Sequence, residues 1–439
     1  MRVLFTVFPA SAHLYPVVPL AWALQAAGHE VVVAAHEGVV DPDVINNITK
    51  AGLTALRLGR KEELPDALGR HTGEIKPDRP TLAFDPKDDD PDTWRLARFF
   101  VAGMLNLHYP TKLTEDGRRP IVDNLVQFAR DWRPDLVLWD PLVLPAPIAA
   151  KACGAAHARL LWGTDNIGII HERTKAELAN PIPQKPDEDP RLTLTEDPLE
   201  AWMRPLLEAH GLEFSDEMLL GQFSLDLTQS RMRQPLDLTY VPVRRVPYTG
   251  AGEFPSWLHK RPERPRAVLT LGMSRRNIYG KYSGFPMREL FDSVADLDLE
   301  LIATLNSDQL ATVGPVPDNV RTLEYIPLNQ VMPTSSAVIH HGGGGTFASA
   351  VAFQVPQLVV PLPMWDEMVT ARYVVDRGAG LVVDPEGLDV ADMAKQLVRL
   401  IEEPSFQDGA RGLYEDMLSA PAPKDIVPVL ERLTEQHRG

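Results

Sequence analysis

The chain has 439 residues, 44% of them apolar, with a net charge of −16, forty prolines and one cysteine. That length exceeds one hydrophobic core and predicts two domains of roughly 200 residues each. The acidic balance argues against nucleic acid and anionic membranes as partners.

The lone Cys153 closes no internal disulfide and fits a reducing cytoplasm; AAKACGAAHARLL reads as a buried small residue at a helix end. The opening MRVLFTVFPASAH has no apolar run long enough for a signal peptide, and no membrane span is expected. Met1 to Phe8 is a continuous apolar run, as a buried parallel strand requires. The loop PASAHLYP follows, then a helix from Pro16 that Gly28 closes. EVVVAAH is the next buried strand, and this β–loop–α–β opening places ligands at the C-terminal ends of a parallel sheet. Leu53 to Leu58 reads as a third strand, after which the pattern is lost until about Asp123. KPDRPTLAFDPKDDDPDTW reads as a surface loop, with Asp88, Asp89 and Asp90 a solvated charge run rather than a metal site.

Helical spacing with aromatics on one side runs from Trp94 to His108. Regular elements resume with a helix from Pro120 to Trp132, the strand DLVLWD ending at Asp140, a helix from Ala146 to Cys153 and the strand ARLLW. Ile167 to Gly221 is polar and proline-interrupted, and reads as an inserted helical segment. RMRQPLDLTYVPVRRVPYTGAGEFPSWL is dense in Pro and Gly and reads as a joint. A second β/α series follows: RAVLTLG, a turn GMSRRN, a helix from Phe285 to Leu297, then the strands LELIATL, NVRTLEYI and AVIHH. The expected architecture is α/β, with two facing Rossmann-like domains and a cleft between them. Residues 1–230 form the first (with 167–221 inserted), 231–255 a linker, 256–420 the second, and 421–439 a closing helix.

The most informative segment is VIHHGGGGTFASAVAFQVPQLVVPLPMWDE. It reads as a strand, a loop of two histidines and four glycines, and a helix opening at Thr346. Such a turn aims free N–H groups and the positive end of a helix dipole at one volume, which suits a phosphate. Glycines let the backbone approach an anion, and His341 can add a donor. Exposed carboxylates at Asp366 and Glu367 follow a strand from Gln357 to Pro361. An anion cradle followed by carboxylates suits a nucleotide sugar, although glycine-rich turns also serve tight packing alone. The P-loop lysine and the G-x-G-x-x-G fingerprint are both absent, so ATP hydrolysis and nicotinamide chemistry are poor candidates.

His13 sits after the first strand, where an open α/β sheet presents active-site groups, and could take a proton from a hydroxyl. Asp140 closes another strand and could orient the imidazole if the two strands adjoin. Its alternative is a turn residue ahead of Pro141.

FPASAHLYPVVPLAWALQAAGHEV, PDLVLWDPLVLPAPIAAKACGAAHARLLWG, RAVLTLGMSRRN, PDNVRTLEYIPLNQVMPTSSAVIHHGGGGT and PLPMWDE resemble family 1 glycosyltransferases of the GT-B fold. The likeness is to the branch that decorates macrolides and anthracyclines with dTDP-deoxysugars, and it spans nearly the whole chain. It implies an inverting transfer without a metal or other cofactor, from a dTDP-deoxysugar to an apolar polyketide-type aglycone. By this resemblance His13 is the general base and Asp140 its supporting acid. Ser274, His341, Gly344, Gly345 and Thr346 hold the diphosphate, the main chain at Ile326 meets the nucleobase, and Asp366 and Glu367 face the sugar.

Two positions depart from the family pattern. Ala12 replaces the usual Gly before the histidine, and Glu367 stands where many members carry Gln. An acidic Glu367 could attract the amino group of an aminosugar. The resemblance also implies an auxiliary protein similar to a cytochrome P450, contacting the 167–221 segment.

Three other readings remain. A GT-B epimerase shares the plan but needs no acceptor pocket, whereas the aromatic-bearing Thr81 to His108 segment looks like an acceptor lining. A non-catalytic nucleotide-sugar-binding protein would not need His13. A glycoside hydrolase needs two carboxylates across the scissile bond, and nothing marks such a pair.

Overall fold

Two all-parallel sheets organise the chain, one of seven strands and one of six, and the chain divides into two units around them. The computed structural model describes residues 1–38, 41–60, 91–115, 117–183, 193–272, 285–362, 365–385 and 387–439. Asp88 to Asp90 and Ser274 lie outside the described residues.

The first unit comprises Met1–Thr228, Arg233–Val243 and Pro421–Gly439. Its strands are β1 (Arg2–Thr6), β2 (Glu30–Ala35), β3 (Thr54–Arg57), β4 (Leu136–Trp139), β5 (Ala156–Leu161), β6 (Phe223–Asp226) and β7 (Tyr240–Pro242). Their order, β3-β2-β1-β4-β5-β6-β7, runs outward from β1 and then restarts on its other side at β4. Loops diverge at such a reversal and leave a crevice at the strand C-termini. Every residue of β4 and β5 is buried, as expected of parallel strands covered on both faces.

The helices of this unit are α1 (Ser11–Leu14), α2 (Val18–Ala26), α3 (Val44–Lys50), α4 (Pro91–His108), α5 (Pro120–Trp132), α6 (Pro145–Cys153), α7 (Asn166–Ala179), α8 (Pro198–Glu208) and α9 (Glu217–Leu220). Pro opens α5 and α6, where its missing N–H costs nothing, and α6 ends at Gly154 in the left-handed conformation (φ 74°). Cys153 is half-buried rather than buried, its thiol donating to the Ala150 carbonyl at 3.3 Å.

Helices α7 to α9 lie between β5 and β6. Asp165 starts α7 by accepting the Gly168 N–H at 2.8 Å. The same carboxylate grips Arg159 of β5 through two parallel bonds of 2.7 and 2.6 Å, which ties the inserted helices to the sheet.

The second unit comprises Gln229–Met232 and Arg244–Ala420. Its strands are β8 (Arg266–Thr270), β9 (Glu300–Thr304), β10 (Val320–Leu323), β11 (Ala337–His340), β12 (Gln357–Val359) and β13 (Gly380–Val382), in the order β10-β9-β8-β11-β12-β13. The reversal here lies between β8 and β11. Its helices are α10 (Met287–Val294), α11 (Ser307–Val313), α12 (Leu328–Val331), α13 (Gly344–Ala352), α14 (Glu367–Asp376), α15 (Val390–Glu402) and α16 (Pro404–Ser419). Strand residues alternate between two cores: Ala267, Leu269, Leu301, Ala303 and Ile339 enter one, and Val268, Ile302 and Val338 the other.

The last helix, α17 (Val427–His437), belongs to the first unit, where Glu431 pairs with His29 at 3.1 Å and Gly439 N–H meets the Gly154 carbonyl. Three strands were not foreseen: β6, β7 and β13. β7 lies inside the stretch read as the joint, and Met232 of that stretch packs into a core of the second unit.

Candidate active site

In the first unit, β1 and β4 are neighbours, with Thr6 opposite Trp139, so the segments leaving their C-terminal ends emerge side by side. His13 leaves β1 on the short helix α1 rather than in an open loop. The reason is local: Ser11 bonds Asp41 through both its N–H (2.7 Å) and its hydroxyl, and Asn47 donates to the same hydroxyl. Asp140 leaves β4, and its Oδ2 lies 2.7 Å from His13 Nδ1. An ionised carboxylate only accepts, so Nδ1 carries the proton and Nε2 is left as the basic nitrogen. Asp140 Oδ1 also accepts the Leu142 N–H at 2.9 Å, so this residue forms the turn before the next helix as well as holding the imidazole. Phe8 and Trp162 flank the His13 ring, with centroids at 5.0 and 4.4 Å.

In the second unit the glycine loop follows β11, at the sheet reversal. Its two histidines differ in kind. His340 is fully buried: its Nε2 lies 3.0 Å from Gln357 Oε1, and its Nδ1 accepts the Gly342 N–H at 3.1 Å. Burial lowers its pKa to about 4, so it stays neutral and keeps that lone pair available. His340 therefore shapes the loop from inside the sheet.

The His341 ring lies close against Gly272 and Gly343. A Cβ on Gly272 or on Gly343 would lie 2.4 Å from an atom of its ring, so a side chain at either place would displace the imidazole, and Gly272 also takes φ +75°. Gly342 takes φ +92°, and a Cβ there would lie 3.0 Å from the Glu367 backbone oxygen.

Helix α13 opens at Gly344, two residues earlier than expected, and its first i→i−4 bond runs from Phe347 N–H to the Gly343 carbonyl. The N–H groups of Gly344, Gly345 and Thr346 precede that bond and have no intrahelical acceptor. Asp366 and Glu367 are buried (6% and 7% exposed) rather than exposed, because α14 begins against the loop. Glu367 Oε2 accepts the Trp365 N–H at 2.7 Å. The Ile326 side chain lies in the core beside Val268 and Ile302.

The loop thus brings together His341, Gly344, Gly345, Thr346, Asp366 and Glu367. It also gathers one residue that the sequence reading missed. The half-buried Arg245 packs its guanidinium against Gly344, where a Cβ would lie 2.8 Å from Nη1. Desolvation pulls its pKa down to about 10, opposed by the charge of Asp366. The only sequence signal was a pair of arginines inside a proline-rich joint. Among the described residues no three His, Cys, Asp or Glu side chains gather as a metal-binding group. Nor is any helix among them long and apolar enough to cross a membrane.

Residues 22–272 match the model of the erythromycin biosynthesis protein CIII-like N-terminal domain, and residues 288–433 match that of the corresponding C-terminal domain. The chain is 39% identical over 447 residues to aclacinomycin-T 2-deoxy-L-fucose transferase of Streptomyces galilaeus, covering all of this chain and 97% of that one. It is also 39% identical over 438 residues to 10-deoxymethynolide desosaminyltransferase of Streptomyces venezuelae, covering 100% and 98%. Among solved structures, that of glycosyltransferase VinC in complex with dTDP superposes with a TM-score of 0.82 at 33% identity, covering 99% of this chain and 100% of that one.

Two doubly wound parallel sheets, each with its polar loops at the strand-order reversal, and these likenesses define a glycosyltransferase of the GT-B fold. The chain belongs to the erythromycin biosynthesis protein CIII-like family.

Proposed function

We propose that this enzyme moves a deoxysugar from dTDP to a hydroxyl of a polyketide-type aglycone, with inversion at the anomeric carbon. The observation that carries the reading is the His13–Asp140 pair at the reversal of the first sheet. His13 Nε2 takes the proton as the acceptor O–H bond breaks, and the acceptor oxygen bonds the anomeric carbon. The bond from that carbon to the diphosphate breaks on the opposite face, and dTDP departs with the electron pair. Asp140 fixes the tautomer and stabilises the imidazolium.

The charge that develops on the diphosphate is met by the N–H groups of Gly344, Gly345 and Thr346, by His341 and by the Arg245 guanidinium. Ser274 is assigned here by resemblance alone. Asp366 and Glu367 are assigned to the sugar; their position against the glycine loop supports this.

The test is His13→Ala with dTDP-deoxysugar donors and candidate aglycones, in the presence and absence of a P450-like auxiliary protein. The variant should bind dTDP as the parent does while product, weighed by mass spectrometry, falls by about 10²- to 10⁴-fold. Unchanged product formation would remove His13 as the base. Interconversion of sugar epimers without an acceptor would favour the epimerase.

A further inference from the structure

One cluster of buried polar side chains in the first unit has no part in this chemistry. His36 follows β2, His108 ends α4 and Tyr109 comes next. Their rings form a triangle, with centroids 5.5 Å (His36–His108), 5.5 Å (His36–Tyr109) and 6.3 Å (His108–Tyr109) apart. All three are more than nine-tenths buried, at 1%, 6% and 1% exposure.

His36 Nδ1 faces the Glu37 carbonyl at 2.9 Å. A carbonyl can only accept, so that nitrogen carries the proton and Nε2 is an acceptor. His36 Nε2, His108 Nδ1 and the Tyr109 hydroxyl have no hydrogen-bond partner. Burial, the largest cause in both, lowers His36 to about 4 and His108 to about 3, so both imidazoles are neutral near pH 7. Buried polar atoms left unmade are costly and rare in native proteins. Three around one triangle offer unmet hydrogen-bonding capacity to a partner of matching chemistry.

The chemistry is specific. Neutral rings and a phenol supply both donors and acceptors but no charge, so a buried phosphate or carboxylate would lack a compensating charge here. A hydroxyl or ketone oxygen needs none. The location points the same way, because the Phe8 ring lies 4.6 Å from His108 and 5.0 Å from His13. The triangle therefore sits one aromatic ring away from the imidazole assigned as the base.

We propose that His36, His108 and Tyr109 form the polar end of the acceptor site and take a neutral oxygen substituent of the aglycone, a hydroxyl or a ketone. This rests on the transferase reading, but it concerns binding rather than turnover, and binding can be measured alone.

Tyr109→Phe removes a single oxygen. Calorimetric titration would compare a hydroxylated macrolactone with its deoxygenated analogue, on the parent and on the variant. Tyr109→Phe should weaken binding of the oxygenated compound roughly 5- to 10-fold and leave the analogue unchanged. Its thermal midpoint should hold or rise, because an uncompensated buried hydroxyl is gone. His108→Phe should act in the same direction.

Equal effects on both compounds, or unchanged binding with a lower midpoint, would overturn the proposal and leave an enclosed water or packing as the role of the cluster. Failure of the parent to bind any aglycone would overturn it together with the transferase reading. Selective binding without transfer would retire the transferase reading alone.

Discussion

Arg245 brings a full positive charge to the first turn of α13, where the peptide dipoles are already positive. Burial lowers the Arg245 pKa to about 10, and the charge of Asp366 opposes that fall. In the reading proposed above, the diphosphate binds at this same spot. Arg245→Gln should then weaken dTDP binding by about 10-fold or more, since charge-assisted hydrogen bonds contribute roughly 1.5–3 kcal/mol. Arg245→Lys should recover part of the loss, and affinity for thymidine should not change. Calorimetric titration reads all three, and equal losses for dTDP and thymidine would assign Arg245 to packing instead. His13, Asp140 and the glycine loop were legible in the sequence because their signals are local: each closes a strand or opens a helix. Arg245 was not, because its approach to Gly344 is made by the fold across a long stretch of chain. The burial of Asp366 and Glu367 was hidden likewise, since it depends on how α14 meets Gly342.

Elements with strong patterns could be read with near-correct bounds: β1, β2, α5 and the strand pair β8 and β9. The missed strands are short, and β6 reads FSLD, which looks like a polar loop. It is a buried strand because its polar side chains are paired: Ser224 accepts from Arg159 at 3.0 Å, and Asp226 from Arg233 at 2.6 Å. Paired polar side chains of this kind erase the apolar signature on which strand recognition depends. Arg159 also carries the attachment of the helical insertion, since Asp165 binds it bidentately, caps α7 and accepts the Tyr240 hydroxyl at 2.7 Å. Asp165→Asn would leave a guanidinium fully buried without its counter-charge. Breaking one partner of such a pair costs about 3–5 kcal/mol. In a unit of this size that corresponds to a fall of roughly 10 °C in the thermal midpoint of the first unit, read by calorimetry. A loss of only 1–2 °C would show that the insertion is held by its apolar contacts alone.

At the scale of the whole molecule, buried neutral histidines set the response to acid. Burial lowers His36, His157 and His340 to about 4 and His108 to about 3, from an ordinary value of 6.5. The folded-state pKa lies below the unfolded one in each case, so below pH 6.5 the unfolded chain binds more protons. The contribution of each is fully present above pH 6.5 and is lost as pH falls toward 4. At pH 5 the loss is about 2 kcal/mol per group, on the order of a large fraction of a domain's 5–15 kcal/mol once summed. Three of the four belong to the first unit and only His340 to the second. Acid should therefore lower the unfolding transition of the first unit well before that of the second. Calorimetry between pH 7 and pH 5, with each transition assigned by limited proteolysis, tests this. Unfolding at pH 5 should take up more protons in the first unit than in the second. His157→Gln, which removes one such group away from the assigned site, should flatten the pH dependence of the first unit by roughly a third. Parallel shifts in both transitions would mean that these imidazoles reach water in the folded state.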